Sequence, residues 1–521
     1  MPIRMVKDPG NDKPRRVRSS NTSSSSSSGL SGLAGGLGNL AGVVLPYLIK
    51  KPKLLIVLIV LAVIGYFLFG RGCTADNNVV SSLFNTGGEF NKEVYESTEI
   101  YEPLADNIKN PLPEKVSLAK YAPTRLNQGR QGSCVAWASA YAARTILEAQ
   151  RTGANPNSVR YSPSFMYNQI SIDHNTCQGS YIKLAMDNMM EKGAVPFNDF
   201  RYDDSDCNRQ PSRALIASAS ANKIKGFQRL TEEGQSPVKE MLSIKQNLSK
   251  GSPVIIGMMV GGSFMQSMNG KDVWIPTNSD YTKRGFGGHA MCVIGYDDYK
   301  EGGSFQIMNS WGEDWGNKGI AWVRYTDFKE FNVESYGLYP MGDASKKQEN
   351  SFDGSFGLEL NDGKKTIALR RVDDIYFETV GTVNTSDKFK VEFTNNIECY
   401  TYIFGEETDG SSYALFPYTK KHSPYCGITG TRLFPRDYSM QSDGKGGTDK
   451  IAVLVTRKPI DYEKMTTQIS AASGTDFQTK VKNALASLYE SNVRFSGNQV
   501  IDFTTTTSED KGVVFVIGVK K

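Results

Sequence analysis

A glycine-containing loop that leads directly into an alanine-rich run is the feature that most restricts how this chain can fold. The residues from Asn127 to Ser133 include two glycines and are predicted to form a loop. The run that begins at Cys134 is rich in Ala and contains no Pro or Gly up to Thr152, which predicts a helix. Because Ser133 can act as the N-cap, we expect Cys134 in the first helical turn, where the helix dipole favours a thiolate.

The same loop carries a candidate for stabilising negative charge. Gln128 stands six residues before Cys134, and the glycines allow the loop to turn back towards the thiol. The side-chain amide of Gln128 and the backbone N–H of Cys134 would then form an oxyanion hole.

Of the three histidines, one adjoins a predicted strand. His174 and His422 lie in polar loops and are expected at the surface. His289 precedes the apolar run 290–296, which predicts a buried strand. An isolated histidine at a strand edge is most often packed or solvated, but a second predicted strand, 304–308, ends at Asn309.

A hairpin of these two strands would bring Asn309 next to His289. The side-chain carbonyl of Asn309 could then accept the imidazole N–H and fix the tautomer. Trp311 would shield that hydrogen bond from water, although core packing alone also accounts for a Trp here. A thiol, an imidazole and an orienting amide are the groups that cysteine acyl transfer needs.

Together, these segments resemble the papain/cathepsin-type cysteine peptidases. The resemblance covers about residues 111–343, less than half of the chain. It rests on Gln128-Gly129, Gly132-Ser133-Cys134, Cys177-Gln178-Gly179-Ser180, Gly288-His289-Ala290 and Asn309-Ser310-Trp311-Gly312. It implies an α+β, papain-like two-lobed domain with a helical left half and a β-barrel-like right half.

The resemblance also implies a role for each matching residue. Cys134 would attack a peptide carbonyl, and His289 would protonate the leaving amine. Asn309 would orient His289, and Gln128 would hold the oxyanion. The implied substrate-binding positions are Gly132, Ser133, Gly179, Ser180, Gly288 and Trp311, with Gly179 pairing with the substrate backbone. The expected substrate is a peptide or protein, and no metal or other cofactor is expected.

The chain departs from the family pattern at several positions. Gln131 stands where the family usually has a further Cys, so the disulfide from that position to the Cys177 position is not expected. Ser180 replaces a glycine of the substrate cleft. No long helical inhibitory segment precedes Leu112, so the sequence leaves open how such an enzyme would be kept latent.

An uncharged apolar run near the N-terminus predicts a membrane anchor. The run 54–69 is slightly shorter than the ~20 residues of a typical transmembrane helix but can span with its flanks. A secretory signal peptide would start much nearer residue one. Residues 1–53 hold nine Lys and Arg against two Asp, so they are strongly basic while the rest of the chain is slightly acidic. This asymmetry predicts a cytoplasmic N-terminus and a catalytic domain across the membrane, facing the periplasm if the membrane is a bacterial inner membrane.

The slightly acidic remainder argues against nucleic acid as a partner. Among the seven cysteines, Cys177/Cys207 and Cys399/Cys426 could form two disulfides in an oxidising compartment, although the sequence cannot fix either pairing. No Cys or His cluster has zinc-site spacing.

The chain divides into six predicted segments. Residues 1–53 are Ser/Gly-rich and predicted to be disordered, 54–70 form the transmembrane helix, 71–110 a tether, 111–343 the peptidase-like domain, 344–355 a linker and 356–521 a C-terminal domain. The C-terminal domain has strand-like runs at 366–370, 389–393, 400–404, 413–417, 451–455 and 513–517 and one predicted helix near 477–489, which favours a small β-sandwich. It weakly resembles a bacterial domain of unknown function that is often appended to peptidases, and a protein partner is the expected ligand.

The function expected from these patterns is a membrane-anchored papain-like cysteine peptidase that acts through a Cys134 thioacyl-enzyme. Two alternatives remain open at the level of sequence. One is a papain-like protein that binds peptides or envelope partners without cleaving them. The other is a Cys/His peptide transferase or peptidoglycan amidase.

Overall fold

The structure, a computed structural model, describes residues 2–8, 86–105, 108–342, 344, 351–361, 365–506 and 508–521. Within these ranges, no helix has the length and apolar character that crossing a bilayer requires. The predicted transmembrane helix 54–70 and most of the predicted disordered segment 1–53 lie outside the described residues.

The N-terminus forms a strand, β1 (Ile3–Lys7), which pairs antiparallel with Tyr438–Ser442 near the end of the chain. Ile3 is buried in the C-terminal core, and Asp8 forms an ion pair with the buried Lys390 at 2.7 Å. The prediction of disorder is therefore wrong for these residues. The predicted membrane topology stays a prediction, because residues 54–70 lie outside the described residues.

The Cys134 helix lies at the centre of a helical lobe. It begins as an α-helix over Cys134–Ala136, continues as a π-helix over Trp137–Arg144 and ends as an α-helix over Thr145–Thr152. Gly153 follows in the left-handed conformation (φ 69°), which glycine adopts without strain. The predicted helix and its end are confirmed, whereas nothing in the sequence pattern indicated the π-helical stretch.

Other helices surround this one. Those of the same domain and of the segment before it are Lys92–Glu96, Pro163–Ile170, Ile182–Glu191, Arg213–Ala219, Pro237–Ser249, Gly262–Gln266 and Tyr325–Phe331. Short 3₁₀ helices occur at Ala119–Tyr121, Ser220–Asn222, Asp280–Thr282 and Lys300–Gly302.

One sheet forms the second lobe. Its strands are β2 (Lys115–Ser117), β3 (Phe227–Arg229), β4 (Val254–Val260), β5 (Val273–Trp274), β6 (Gly287–Asp297), β7 (Ser304–Met308), β8 (Ile320–Arg324) and β9 (Asn332–Leu338). They lie in the order β3-β9-β4-β6-β7-β8-β5, with β2 paired to β6. The antiparallel hairpin of β6 and β7 confirms the pairing predicted for the His289 and Asn309 strands.

Two further sheets make up the C-terminal part of the chain. Their strands are β10 (Ser351–Leu360), β11 (Lys365–Ile367), β12 (Leu369–Arg371), β13 (Tyr376–Thr379), β14 (Phe389–Asn395), β15 (Cys399–Glu406), β16 (Ser412–Phe416), β17 (Tyr425–Cys426), β18 (Gly430–Phe434), β19 (Tyr438–Ser442), β20 (Thr448–Thr456), β21 (Arg494–Ser496), β22 (Ile501–Thr506) and β23 (Gly512–Lys520). The first sheet has the order β1-β19-β14-β10-β22-β21 and the second β12-β13-β23-β20-β15-β16. β10 begins inside the segment 344–355 that was predicted as a linker.

The alternation along β20 explains how the C-terminal sheets are layered. Ile451, Val453 and Val455 face a core shared with the first sheet, whereas Ala452 and Leu454 face a second core. The helices Tyr462–Ala471 and Phe477–Ala484 cover that second core. The sheets therefore pack face to face, with two helices outside them rather than the single helix predicted.

Candidate active site

The Cys134 loop is bonded to the loop that follows β7. The backbone N–H of Gln128 donates to the carbonyl of Ser310 at 2.8 Å, and the N–H of Gly312 donates to Leu126 at 3.2 Å. These bonds bring together two segments that are about 180 residues apart in the chain. The predicted meeting of the Cys134 and Asn309 segments is therefore present in the structure.

His289 and Asn309 form the hydrogen bond that the sequence predicts. The distance from Nε2 of His289 to Oδ1 of Asn309 is 2.7 Å. The same Oδ1 also accepts the backbone N–H of Ser310 at 2.7 Å, which identifies it as the oxygen of the amide. The proton therefore lies on Nε2, and Nδ1 is left unprotonated, without a hydrogen bond to any described residue.

Trp311 covers this pair. Its ring stacks on the imidazole of His289 with centroids 4.3 Å apart and an angle of 25° between the planes. Cys134 lies next to the same strand, because its Sγ accepts the backbone N–H of Ala290 at 3.4 Å. The thiol therefore lies beside the strand that carries the imidazole, and the imidazole is bonded to the amide.

Residues 86–90, called the cleft segment below, lie across this site. The N–H groups of Gly87 and Gly88 donate to the carbonyl of Gly288 at 3.2 and 2.9 Å. On the other side, the N–H of Ser180 donates to Gly87 and the N–H of Glu89 donates to Ser180, both at 2.9 Å. The cleft segment therefore forms hydrogen bonds to both walls of the cleft.

The cleft segment leaves the catalytic groups out of contact with solvent. Cys134 and His289 are both 0% exposed. Burial raises the pKa of the Cys134 thiol to about 12, although the backbone N–H groups of Ala290 and Gly87 lower it. Burial likewise lowers the pKa of His289 to about 4, against the effect of its bond to Asn309. The covered site is therefore a neutral thiol and a neutral imidazole, and not the thiolate that the helix dipole alone predicted.

Both ends of the Gln128 side-chain amide are hydrogen-bonded within the described residues. Its Nε2 donates to the carbonyl of Gln131 at 3.0 Å, and its Oε1 accepts the hydroxyl of Ser310 at 2.7 Å. Gln131, which stands at the position of the absent cysteine, thus supports the predicted oxyanion group. Whether Gln128 donates to an oxyanion stays a prediction.

The predicted substrate-binding positions have different surroundings. Ser180, rather than Gly179, makes the backbone pairing with the cleft segment, while the Gly179 carbonyl accepts from Ile172. The Ser133 hydroxyl bonds to Tyr202 at 2.6 Å and not to a backbone N–H of its helix, so it is not the predicted side-chain cap. Gly132 has no room for a side chain, because an added Cβ would meet Gln178.

The ring of Phe90, the last residue of the cleft segment, lies against Gly257 and Gly288. An added Cβ at Gly257 of β4 would strike that ring, so glycine is required for Phe90 to lie there. Glu334 of β9 is directly opposite Gly257, and its carboxylate accepts the backbone N–H of Asn91. Burial raises the pKa of Glu334 to about 8. The sequence reasoning missed Glu334, because an isolated Glu in an apolar strand carries no motif.

The cleft segment itself was also missed. It falls inside the predicted tether 71–110, whose polar composition indicated a solvated connection. The Gly87-Gly88 pair was the available signal, since two adjacent glycines suit close backbone approach. An added Cβ at Gly87 would overlap the backbone of Gly132.

The cysteines divide into a disulfide and free thiols. Cys177 and Cys207 form a disulfide with an S–S distance of 2.04 Å. Cys399 and Cys426, the second candidate pair, are free thiols in this structure, although they lie directly opposite each other on β15 and β17. This pair therefore differs from the disulfide that was considered for it. Over the described ranges no group of His, Cys, Asp and Glu side chains is arranged to hold a metal ion.

Two families match the chain. Residues 112–341 match the papain family cysteine protease, and residues 382–459 match a domain of unknown function, DUF4384. The first region is therefore a papain-family cysteine protease domain with an α+β fold.

Individual relatives match the same region. Mouse (Mus musculus) cathepsin K is 27% identical over 230 residues, which are 44% of this chain and 63% of that protein. A cysteine protease of Blomia tropicalis is 26% identical over 249 residues, covering 46% of this chain and 70% of that protein. The chain thus spans less than two thirds of the length of cathepsin K. The solved structure of xylellain, a cysteine protease from Xylella fastidiosa, matches at 23% identity with a TM-score of 0.41, covering 49% of this chain and 95% of that chain.

Proposed function

We propose that this protein is a papain-like cysteine peptidase that is latent until the cleft segment leaves the active site. The observation that carries this proposal is the 2.7 Å bond between His289 and Asn309 beside a thiol at a helix start. Every group needed for peptide hydrolysis is present, and the surfaces on both sides of the thiol are occupied by backbone of the chain itself.

The chemistry follows from the tautomer of His289. With Nε2–H bonded to Asn309, Nδ1 is free to take the thiol proton of Cys134. The resulting thiolate attacks the carbonyl carbon, and the carbonyl electron pair moves to an oxygen stabilised by the Cys134 N–H and the Gln128 amide. Collapse of this intermediate expels the amine, which takes the proton from His289. Water, deprotonated by His289, then hydrolyses the thioester and regenerates the thiol.

The cleft segment is not bound as a substrate would be. Its strand runs parallel to the Ser180 segment, with Gly88 opposite Ser180. Both of its glycine N–H groups point to the same carbonyl, that of Gly288. Residues 86–90 thus use the hydrogen-bonding groups of both cleft walls, which supports latency by occupation of the cleft.

Peptide turnover by matched variants tests the proposal. Full-length protein should hydrolyse a peptide library slowly, whereas Gly87→Ala, in which the cleft segment no longer fits, should hydrolyse it faster. Cys134→Ala in the Gly87→Ala background should abolish turnover. If folded Gly87→Ala reacts at Cys134 with a thiol-directed epoxide yet cleaves nothing in the library, peptide hydrolysis is refuted and a binding role replaces it.

Membrane attachment is a separate proposal, supported by the uncharged run 54–69. The pairing of β1 with β19 supports a topology in which residues 3–7 and the C-terminal domain are on one side of the membrane. Fractionation followed by protease digestion of intact vesicles tests both points. Recovery of the protein in the fraction without membranes would refute attachment. Protection of only one end of the chain from the protease would refute the placement of residues 3–7 and the C-terminal domain on the same side.

A further inference from the structure

Residues 99–105 and 108–110, called the interdomain segment below, lie between the peptidase domain and the C-terminal domain. Towards the peptidase domain, the Tyr101 N–H donates to Arg229 at 3.0 Å, and the Gln246 side chain bonds to both backbone groups of Leu104 at 3.1 and 3.0 Å. This side of the segment extends the peptidase lobe and leads directly back to the cleft segment through the helix Lys92–Glu96.

The opposite side of the interdomain segment is bonded to the C-terminal domain. The N–H groups of Ile100 and Ala105 donate to Lys421 and Thr431, both at 2.7 Å. The amide of Asn110 exchanges two hydrogen bonds with the backbone of Thr431, each at 2.9 Å. Loss of the C-terminal contacts would leave one edge of the segment without partners in the protein.

Charged side chains strengthen these contacts. The carboxylate of Glu102, which is buried, lies 2.6 Å from Nδ1 of the half-buried His422. Lys109 pairs with Glu359 and Glu392 at the surface of the first C-terminal sheet. Removal of one partner from an ion pair that is largely shielded from solvent costs much more free energy than removal from an exposed pair.

The cleft segment by itself is a short piece of chain. Its contacts include four backbone hydrogen bonds to the cleft walls, the Gly87 N–H beside the Cys134 thiol and the ring of Phe90. A free peptide with such contacts would lose much of their free energy to the entropy of association. Its occupancy therefore depends on being tied nearby. Two ties keep the effective concentration high. The Tyr95 hydroxyl, five residues after Phe90, bonds to Thr231 and Ser335 of the peptidase lobe, and the Ile100 N–H, ten residues after Phe90, bonds to the C-terminal domain.

We infer that the C-terminal domain, which contains the region of unknown function, serves to hold the interdomain segment and thereby keeps the cleft segment in the active site. This inference rests on the proposed latency and names its regulator. Displacement of the C-terminal domain by a partner or a cut would release the cleft segment. If the chain loosens as far as β2, the connection from Phe90 lengthens from about ten to about 25 residues, which lowers the effective concentration roughly fourfold.

The experiment compares rates of Cys134 labelling by a thiol-directed epoxide in full-length variants. The test variant combines Glu102→Ala, Lys109→Ala and Asn110→Ala, whose side chains face the C-terminal domain. The matched control combines Glu114→Ala, Lys115→Ala and Lys120→Ala, which are exposed residues a few positions further on. We expect labelling about fourfold faster or more in the test variant and unchanged in the control.

Each outcome has one meaning. If Gly87→Ala labels quickly but the triple variant labels at the wild-type rate, the C-terminal domain does not hold the cleft segment, and the proposed function stands. If folded Gly87→Ala also fails to label, the latency proposal fails as well. Should the triple variant misfold, amide hydrogen exchange at Gly87 and Gly88 in Lys109→Met replaces labelling. Exchange no faster than in Lys115→Met would overturn the inference.

Discussion

Replacement of Gly87 by Ala gives the most direct access to the covered state. The φ angle of Gly87 is outside the left-handed region, so Ala meets no backbone strain and the effect is steric alone. The new methyl group would overlap the backbone carbonyl of Gly132, which belongs to the loop before Cys134 and cannot turn aside as a side chain can. The cleft segment must shift or leave.

The magnitude follows from the cost of overpacking. An extra methyl group in a well-packed site typically costs about 1–3 kcal/mol. Since about 1.4 kcal/mol corresponds to a factor of ten in an equilibrium constant, the uncovered fraction should rise by about 5- to 150-fold. Labelling of Cys134 should rise by the same factor where opening and closing are faster than alkylation.

Mass spectrometry of the Cys134 peptide gives the labelling rate in the full-length protein. Gly88→Ala is an internal comparison, because its Cβ would lie 3.1 Å from the backbone of Gly288 and His289, a tight contact rather than an overlap. Gly381→Ala is the matched control, since no atom lies within 4 Å of its added Cβ. The expected order of rates is Gly87→Ala, then Gly88→Ala, then Gly381→Ala equal to wild type. Equal rates for all three folded variants would refute the reasoning.

Four further outcomes are expected. The pKa of Cys134 is about 12 in the covered site, so the alkylation rate of the wild type should still be rising above pH 9. In the uncovered variant, Gly87→Ala, less burial lowers that pKa, and the rate should level off at a lower pH. Overlapping pH profiles would contradict this. In the uncovered variant, His289→Ala should reduce kcat by about 10²–10⁴ and Asn309→Ala by less, because the imidazole remains; equal losses would show that Asn309 does more than orient. Glu334→Gln should slow hydrolysis of peptides that place a basic side chain where Phe90 lies, relative to peptides that place an apolar side chain there. An unchanged ratio of these two rates in peptide profiling would show that Glu334 does not contact the substrate side chain. Ile3→Ala should lower the free energy of unfolding of the C-terminal domain by about 2–5 kcal/mol in denaturant titrations, because Ile3 is 1% exposed, and no change would mean that β1 is not docked in solution.

Short-range sequence patterns allowed the placement of three candidate catalytic residues to be predicted. The Cys134 helix, the His289 strand and the Asn309 turn each have a short-range pattern, and two strands close in sequence pair as a hairpin. Glu334 and the cleft segment could not be found in this way. Their positions depend on contacts between residues that are far apart in the chain. Gly257 and Phe90 are one such pair, and the sequence around each of them contains no recognisable motif.

The same distinction applies to the C-terminal domain. Its predicted strands at 389–393, 400–404 and 451–455 are confirmed, since alternating burial leaves a clear pattern. The helix Tyr462–Ala471 was missed because it has only two buried residues, Met465 and Ile469, and reads as a polar surface segment. β1 was missed because a short strand beside a long Ser-rich run looks like part of that run.

The cleft segment also bears on how a reactive thiol survives in the same domain as a disulfide. Cys177 and Cys207 are joined, so a compartment that maintains their bond also threatens Cys134 with oxidation. Oxidation proceeds through an accessible thiolate, and Cys134 is 0% exposed with its pKa raised to about 12. The contact that is proposed to block substrate would therefore also protect the Cys134 thiol. Consequently, peroxide should oxidise Cys134 faster in Gly87→Ala than in Gly381→Ala, and equal rates would show that burial under Gly87 is not what protects the thiol.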